Sequence, residues 1–239
     1  MFVGANDERT LSLIARHSAA EATEGKTGLL KLTRAAIELG CSEIPLKHGR
    51  VIGRLLDHGF FKAGGLLVGT HAFLAYQNIF GVKWDAGAFT VDLDFLTTFG
   101  KGEDKPLFVP TLNLTKQPLK FMEFSLEAPI KATLVHRNGP LVVNVPRPER
   151  YIWHKLIVYG ERPREMRAKA NKDLAQVACM LDYLLENDAD LIRQSWHDAI
   201  GRGPGWKQRL LEGWKGLNSK FASHAFEARF NASKNPHTP

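Results

Sequence analysis

Cysteine is scarce in this 239-residue chain: Cys41 and Cys179 are the only two. They lie far apart, with no C-x-x-C and no Cys/His spacing of the kind that binds zinc. A disulfide framework or a zinc site is therefore not what organises the fold. Long apolar runs are also missing. No stretch of roughly 18 apolar residues occurs, which argues against a transmembrane helix. The opening MFVGANDERT lacks the basic-then-apolar order of a secretory leader. These absences point to a reducing cytoplasm and away from a membrane. Acids are in deficit too, 25 against 32 basic residues, giving a formal net charge of +7. That surplus suits polyanionic partners such as nucleotides or RNA, and it serves solubility equally well. At 44% apolar and 24% charged, what remains is enough to bury a real core.

Apolar periodicity divides the chain. Residues 1–63 read as a helical N-terminal segment, in which Leu29, Leu30, Leu32, Ala36 and Ile37 form one face and Gly40 is placed to end the helix. A second helix is predicted from Lys47 to His58. Two short helices joined by a turn can read DNA, but such pairs occur in any mixed fold. Residues 64–147 read as a sheet domain. Gly65-Leu66-Leu67-Val68-Gly69 suits a buried strand, and Thr70–Tyr76 suits a helix with Thr70 as its N-cap. The alternation over Phe89–Phe95 is strand-like. Further strands are predicted over Leu107–Leu112, Lys120–Leu126, Lys131–Val135 and Leu141–Val145. Residues 148–230 form a helical C-terminal part, with a stripe of Leu174, Val177, Ala178, Leu181, Leu184 and Leu185 and a later helix from Trp206 to about Ala228. The polar residues 231–239 read as a disordered tail.

Chemistry concentrates in Thr90-Val91-Asp92-Leu93-Asp94-Phe95. On a strand, residues two apart share a face, so Thr90, Asp92 and Asp94 align while Val91, Leu93 and Phe95 turn to the core. Adjacent carboxylates raise each other's pKa unless a cation neutralises them. Mg2+ commonly takes one or two carboxylates together with substrate phosphates. Two exposed acids at a strand end remain the alternative. Upstream, Val68-Gly69-Thr70 places a glycine at a strand end and a hydroxyl at a helix start. There a phosphate can approach the backbone and meet helix N-terminal amides.

Leu67-Val68-Gly69-Thr70-His71-Ala72-Phe73, taken with Thr90–Phe95, resembles the nucleotidyltransferase superfamily pattern: Gly-Ser or a close variant, a helix, then Asp-x-Asp on the next strand. The pair is similar to the nucleotidyltransferase toxins of type IV abortive-infection systems and to mycobacterial toxins that modify tRNA. Gly59–Gly65, Pro146-Arg147-Pro148 followed by His154-Lys155-Leu156, and Lys169–Gln176 fit the same branch. The resemblance covers most of residues 1–190, with gaps. It implies an α/β fold, with a small mixed nucleotidyltransferase-type sheet flanked by helices. It also implies Mg2+- or Mn2+-dependent transfer of a nucleoside monophosphate from ATP or another NTP to a tRNA, other RNA or protein acceptor. A toxin role with an antitoxin partner follows from the same branch. Asp92 and Asp94 would hold the metal, and Gly69, Thr70 and Thr90 would contact the nucleotide. Lys155 would contact its phosphates, and Asp173 would support the site.

This sequence departs from the pattern in three ways. Threonine stands for the commoner serine. The interval from Gly69 to Asp92 calls for an insertion around Gly81–Gly87. The third carboxylate that the superfamily carries on a later strand has no matched motif. If Lys120–Leu126 is a strand, Glu123 is the candidate and Glu127 the substitute. Lys155 otherwise reads as a helix lysine whose stem covers apolar surface, and Asp173 as an acid favouring a helix dipole. Arg162, Arg164, Arg167, Lys169 and Lys172 outnumber Glu161 and Glu165, a strip that suits triphosphate or RNA as well as solvent. His71 and the tryptophans read as packing residues. The rival function is a binding module that keeps the fold, has lost turnover and holds nucleic acid or a protein.

Overall fold

A computed structural model of the chain describes residues 8–86, 92–96, 107–109, 114–116, 121–162 and 167–232. The N-terminal segment is helical, as its periodicity predicts: α1 spans Glu8–Glu38 and α2 Leu46–Asp57. Gly40 and Cys41 close α1 by donating to the carbonyls of Ile37 and Ala36, each at 2.9 Å, which satisfies the helix's last acceptors. One face of α2, formed by His48, Gly49 and Ile52, is buried.

Next come β1 (Leu66–Leu67), α3 (Gly69–Phe80), β2 (Phe95–Leu96), β3 (Leu107–Val109), β4 (Leu114–Lys116), α4 (Glu123–Leu126), β5 (Ile130–Leu134) and β6 (Leu141–Val145). Among the described residues the strands form three antiparallel pairs, β1–β2, β3–β4 and β5–β6. A parallel bridge between Glu43 and Val135 gives the arrangement its mixed character. The alternation over β5 and β6 is real: Ala132, Leu134, Val143 and Val145 are buried, while Lys131 and Thr133 face water. In the C-terminal part α5 (Pro148–Glu161) is central, packed between α6 (Arg167–Asn187), α7 (Ala189–Gly201) and α8 (Pro204–Lys220). Tyr151, Ile152, Trp153, Leu156 and Ile157 of α5 are all buried. Trp153 donates its indole N–H to Ser195 at 2.8 Å. Its ring meets Trp196, Trp214 and Phe230, so these tryptophans are core residues, as their sequence context suggests. The result is an α/β fold of small sheet elements flanked by helices.

Three expectations need correction, and one strand is new. Over its described residues, 121–126, the expected Lys120–Leu126 strand is not a strand. Phe121 takes a left-handed φ of +66°, and Glu123–Leu126 is one helical turn. Half-buried Phe121 and buried Phe124 both pack on Trp206, which a turn allows and a strand does not, since a strand puts positions three apart on opposite faces. Thr70 is not the N-cap of α3: that position is Val68, with no side-chain cap bond, and Thr70 lies buried in the first turn. Trp206–Ala228 is not continuous. The chain leaves α8 at Lys220, passes a short 3-10 turn, Ala222–His224, and restarts as α9 (Phe226–Asn231) after Ala225, whose φ is +49°. The strand over Leu114–Lys116 was not anticipated. Phe89, Thr90, Val91, Leu112, Arg164 and most of the tail expected over 231–239 lie outside the described residues.

Candidate active site

The register of β1 against β2 builds the site. Leu66 pairs with Leu96 and Leu67 with Phe95, so the next residues, Val68 and Asp94, also stand opposite. Val68 N–H donates to the Asp94 carbonyl at 2.9 Å. Asp92, Leu93 and Asp94 are therefore the approach to a strand, not its middle. The side chains still alternate: Asp92 and Asp94 are exposed, Leu93 and Phe95 partly buried, and Leu96 buried.

One residue past Val68 the chain turns into α3 at Gly69, with a φ of +62°. A methyl group there would overlap the Asp94 carboxylate. The glycine turn and the second acid are thus in direct contact, at the N-terminus of a twelve-residue helix whose first amides carry partial positive charge. Asp94 keeps surface in water, yet its carboxyl is lodged against this turn. Burial is the first reason its pKa stands above the ordinary range. Lys155 counters that rise, Asp92 and Asp173 add to it, and Lys172 opposes it. Five charged groups from the β2 approach, α5 and α6 therefore share one field.

Lys155 and Asp173 face each other across α5 and α6. Lys155 Nζ donates to Asp173 Oδ1 at 2.5 Å, and Arg162 donates to Oδ2 at 2.9 Å. Burial alone would raise the Asp173 carboxyl, but the charges and hydrogen bonds of Lys155 and Arg162 outweigh it and hold the pKa low. Lys172 is pushed the other way, first by burial and then by Lys155, so its ammonium gives up its proton more readily than a free lysine.

Two supports were not foreseen. The Tyr151 hydroxyl donates to the Gly69 carbonyl at 2.9 Å, with the Gln176 side-chain oxygen at 3.2 Å. The same ring lies 5.1 Å beneath the Lys155 ammonium. Tyr151 thus touches both the Gly69 turn and the lysine. The i, i+4 spacing of Tyr151 and Lys155 is the signal that could have revealed it. Behind the turn, His71 Nε2 meets His48 Nδ1 at 2.9 Å, fully out of water. Burial, then His48, then Lys172 lower the His71 pKa to about 4, so the ring is neutral.

Asp92, Asp94, Gly69, Thr70, Lys155, Asp173, Arg162 and Lys172 therefore come together, and Thr90 lies outside the described residues. Glu123 opens the turn α4, so the strand alternation that nominated it does not exist. Glu127 is committed elsewhere, bound by Arg202 and Arg150 beside Asp198. Among the described residues, the carboxylate besides Asp92 whose charge acts on Asp94 is Asp173. Among the described residues no group of three or more His, Cys, Asp or Glu side chains has metal-binding geometry. A cation at Asp92 and Asp94 must complete its shell with water and phosphate oxygens, which is how Mg2+ commonly binds. The donor set fits such an ion: hard oxygens only, one of them an acid whose charge is under-neutralised.

No curated protein and no solved structure matches the chain significantly. A family model described as Nucleotidyltransferase matches residues 47–101 and 92–201. The first match contains the Gly69 turn and both acids, and the second begins at Asp92 and runs through Lys155 and Asp173. Together they span more than half of the chain, which therefore belongs to this nucleotidyltransferase family.

Proposed function

We propose that the protein moves a nucleoside monophosphate from an NTP to an acceptor hydroxyl, with Mg2+ or Mn2+ held by Asp92 and Asp94. The observation that carries this reading is the contact between Gly69 and the Asp94 carboxylate, because a triphosphate must touch helix amides and a metal site together. In the reaction the acceptor oxygen bonds to the α-phosphorus while the bond to the bridging oxygen of the β-phosphate breaks. Pyrophosphate leaves with that electron pair. The ion, when bound, neutralises triphosphate charge and polarises the oxygens around it. The protein's own part is placement. The N-terminus of α3 attracts phosphate, and Lys155 neutralises charge on the leaving group. Asp173 keeps Lys155 and Arg162 aimed at the site. With two cations on it Asp173 is a poor base, so the hydroxyl proton passes to water.

The acceptor we favour is RNA, tRNA included, with a protein as the other option. ATP is the first nucleotide to test, and the cytoplasm is the compartment that supplies it. A growth-arresting toxin restrained by an antitoxin belongs to the same proposal, and arrest on expression would test it. The decisive experiment incubates the protein with each labelled NTP, Mg2+ and total RNA or lysate. We expect labelled acceptor from wild type and none from Asp94→Ala. Equal labelling by Asp94→Ala would overturn the mechanism. Nucleotide binding without transfer under every condition would favour the binding module instead.

A further inference from the structure

Helix α1 meets the body of the protein near its C-terminal end. There Thr33 is buried, Leu30 and Ile37 are half-buried beside it, and Ala36 lies between this face and the next. The two turns before them, residues 23–29, are exposed on every side. The apolar residues of the helix therefore divide. Leu30 and Ile37 turn to the body, whereas Leu29 and Leu32 are 52% and 69% exposed, and Leu39, just past the helix, is 87% exposed.

From Leu11 to Leu39, alternate steps of four and three reach an uncharged residue every time. The series is small in its middle, from Ala15 to Gly25, and then takes in Leu29 and Leu32. Every Lys, Arg and Glu of the stretch falls between its positions. That spacing is the seam of a two-stranded coiled coil. Two glycines give independent support. Gly25 and Gly28 stand in the exposed turns, and nothing outside the helix backbone lies within 4 Å of a methyl group placed on either. Within one chain they only weaken the helix. On a seam, Gly25 lets a second backbone approach closely.

We propose that α1 is a dimerisation helix, and that two copies of this chain pair in parallel and in register along the seam from Leu11 to Leu39, ~40 Å long. Charge selects a second copy as the occupant. In that register position 21 of one helix stands beside position 26 of the other, glutamate beside lysine, on both sides of the seam. Reversing one helix forfeits both pairs. The same register sets small residues against small and leucine against leucine, so each layer is filled by its own counterpart. The inference is independent of the transfer chemistry.

Sedimentation equilibrium of the full chain in reducing buffer tests it. Wild type should be a dimer at micromolar concentration. Leu29→Lys/Leu32→Lys should raise the dissociation constant at least about 100-fold. Its near-ultraviolet spectrum should stay that of wild type, because the tryptophan core is remote from both exposed leucines. Glu21→Lys should weaken the dimer about fivefold, and Glu21→Lys/Lys26→Glu should restore it. Orientation has its own readout: on mild oxidation Leu32→Cys should form a disulfide-linked dimer beyond any formed by wild type, since a parallel pair sets position 32 against itself. The proposal is overturned if wild type is monomeric at high micromolar concentration, or if the leucine variant dimerises like wild type. Failure of the charge exchange to rescue, or of Leu32→Cys to cross-link, would overturn the parallel register. A monomer that captures a different protein through the same leucines would also overturn the proposal and assign the seam to that partner.

Discussion

Replacing Gly69 with alanine perturbs the backbone and Asp94 together, and Gly81 separates the two effects. Gly69 opens α3 at φ +62°; Gly81 closes it at φ +65°. An L-residue in the left-handed region costs about 1–2 kcal/mol, so Gly69→Ala and Gly81→Ala should each lose about that much stability. Nothing lies within 4 Å of a methyl group at Gly81, whereas at Gly69 it would overlap the Asp94 carboxylate. Asp94 must then move, and Val68, whose N–H holds its carbonyl, is pulled with it. A shift of about an ångström at a catalytic group can cost 100-fold in rate. We therefore expect similar urea midpoints for the two variants. Nucleotidyl transfer should survive in Gly81→Ala and fall by about two orders of magnitude or more in Gly69→Ala. Transfer by Gly69→Ala at the Gly81→Ala level would refute the claim that the turn and Asp94 form one site.

Other outcomes follow from the supports of that site. His71 sits near pKa 4 in the folded chain against an ordinary 6.5, so between these values the unfolded chain binds more protons than the folded one. Stability should fall as pH drops from 6.5 towards 4, by roughly 3 kcal/mol for this group. Half-buried His154, also lowered to about 4, adds in the same direction. Urea titrations at pH 7 and pH 5 measure this, and a flat profile would show that neither ring is held neutral. Tyr151→Phe removes the hydroxyl on Gly69 while keeping the ring under Lys155. It should cost about 1 kcal/mol of stability and raise the KM for NTP more than it lowers kcat. An unchanged KM would mean that Tyr151 only packs.

The sequence exposed those parts of the fold whose pattern is local. The β6 boundaries, the end of α1 at Gly40 and the apolar stripe of α6 all follow from periodicity and one turn residue. The misreading at Lys120–Leu126 came from a demand that is not local: Phe121 and Phe124 both pack on Trp206, more than 80 residues later, and that packing overrides any alternation. The Gly-Thr and Asp-x-Asp segments were visible because they follow a family pattern of restricted residue type, and the family match includes both. Their contact was not, since it depends on the β1–β2 register across an interval that includes undescribed residues. Glu123 was nominated by alternation on a strand that does not exist. Asp173 could be nominated only through the resemblance, because a single acid on a helix has no signature until the helix that carries Lys155 lies against it.

That pairing changes what Lys155→Ala should do. From its sequence context Lys155 reads as a part-exposed lysine that carries little folding energy. Its side chain is in fact only 12% exposed and is bonded to an Asp173 that is 17% exposed. Removing it leaves a largely buried carboxylate with Arg162 as its remaining ion-pair partner among the described residues, at a cost of roughly 1–3 kcal/mol. Lost activity in the single variant would then be ambiguous between a missing phosphate contact and a disturbed site. Lys155→Ala/Asp173→Asn resolves it, because the amide removes the stranded charge while keeping the shape. We expect the double variant to recover much of the lost stability, read from the urea midpoint, because the buried charge is gone. It should not recover NTP affinity, measured by titration calorimetry, because no ammonium remains to meet the phosphates. If affinity returns along with stability, Lys155 serves only to neutralise Asp173, and its role towards the nucleotide falls.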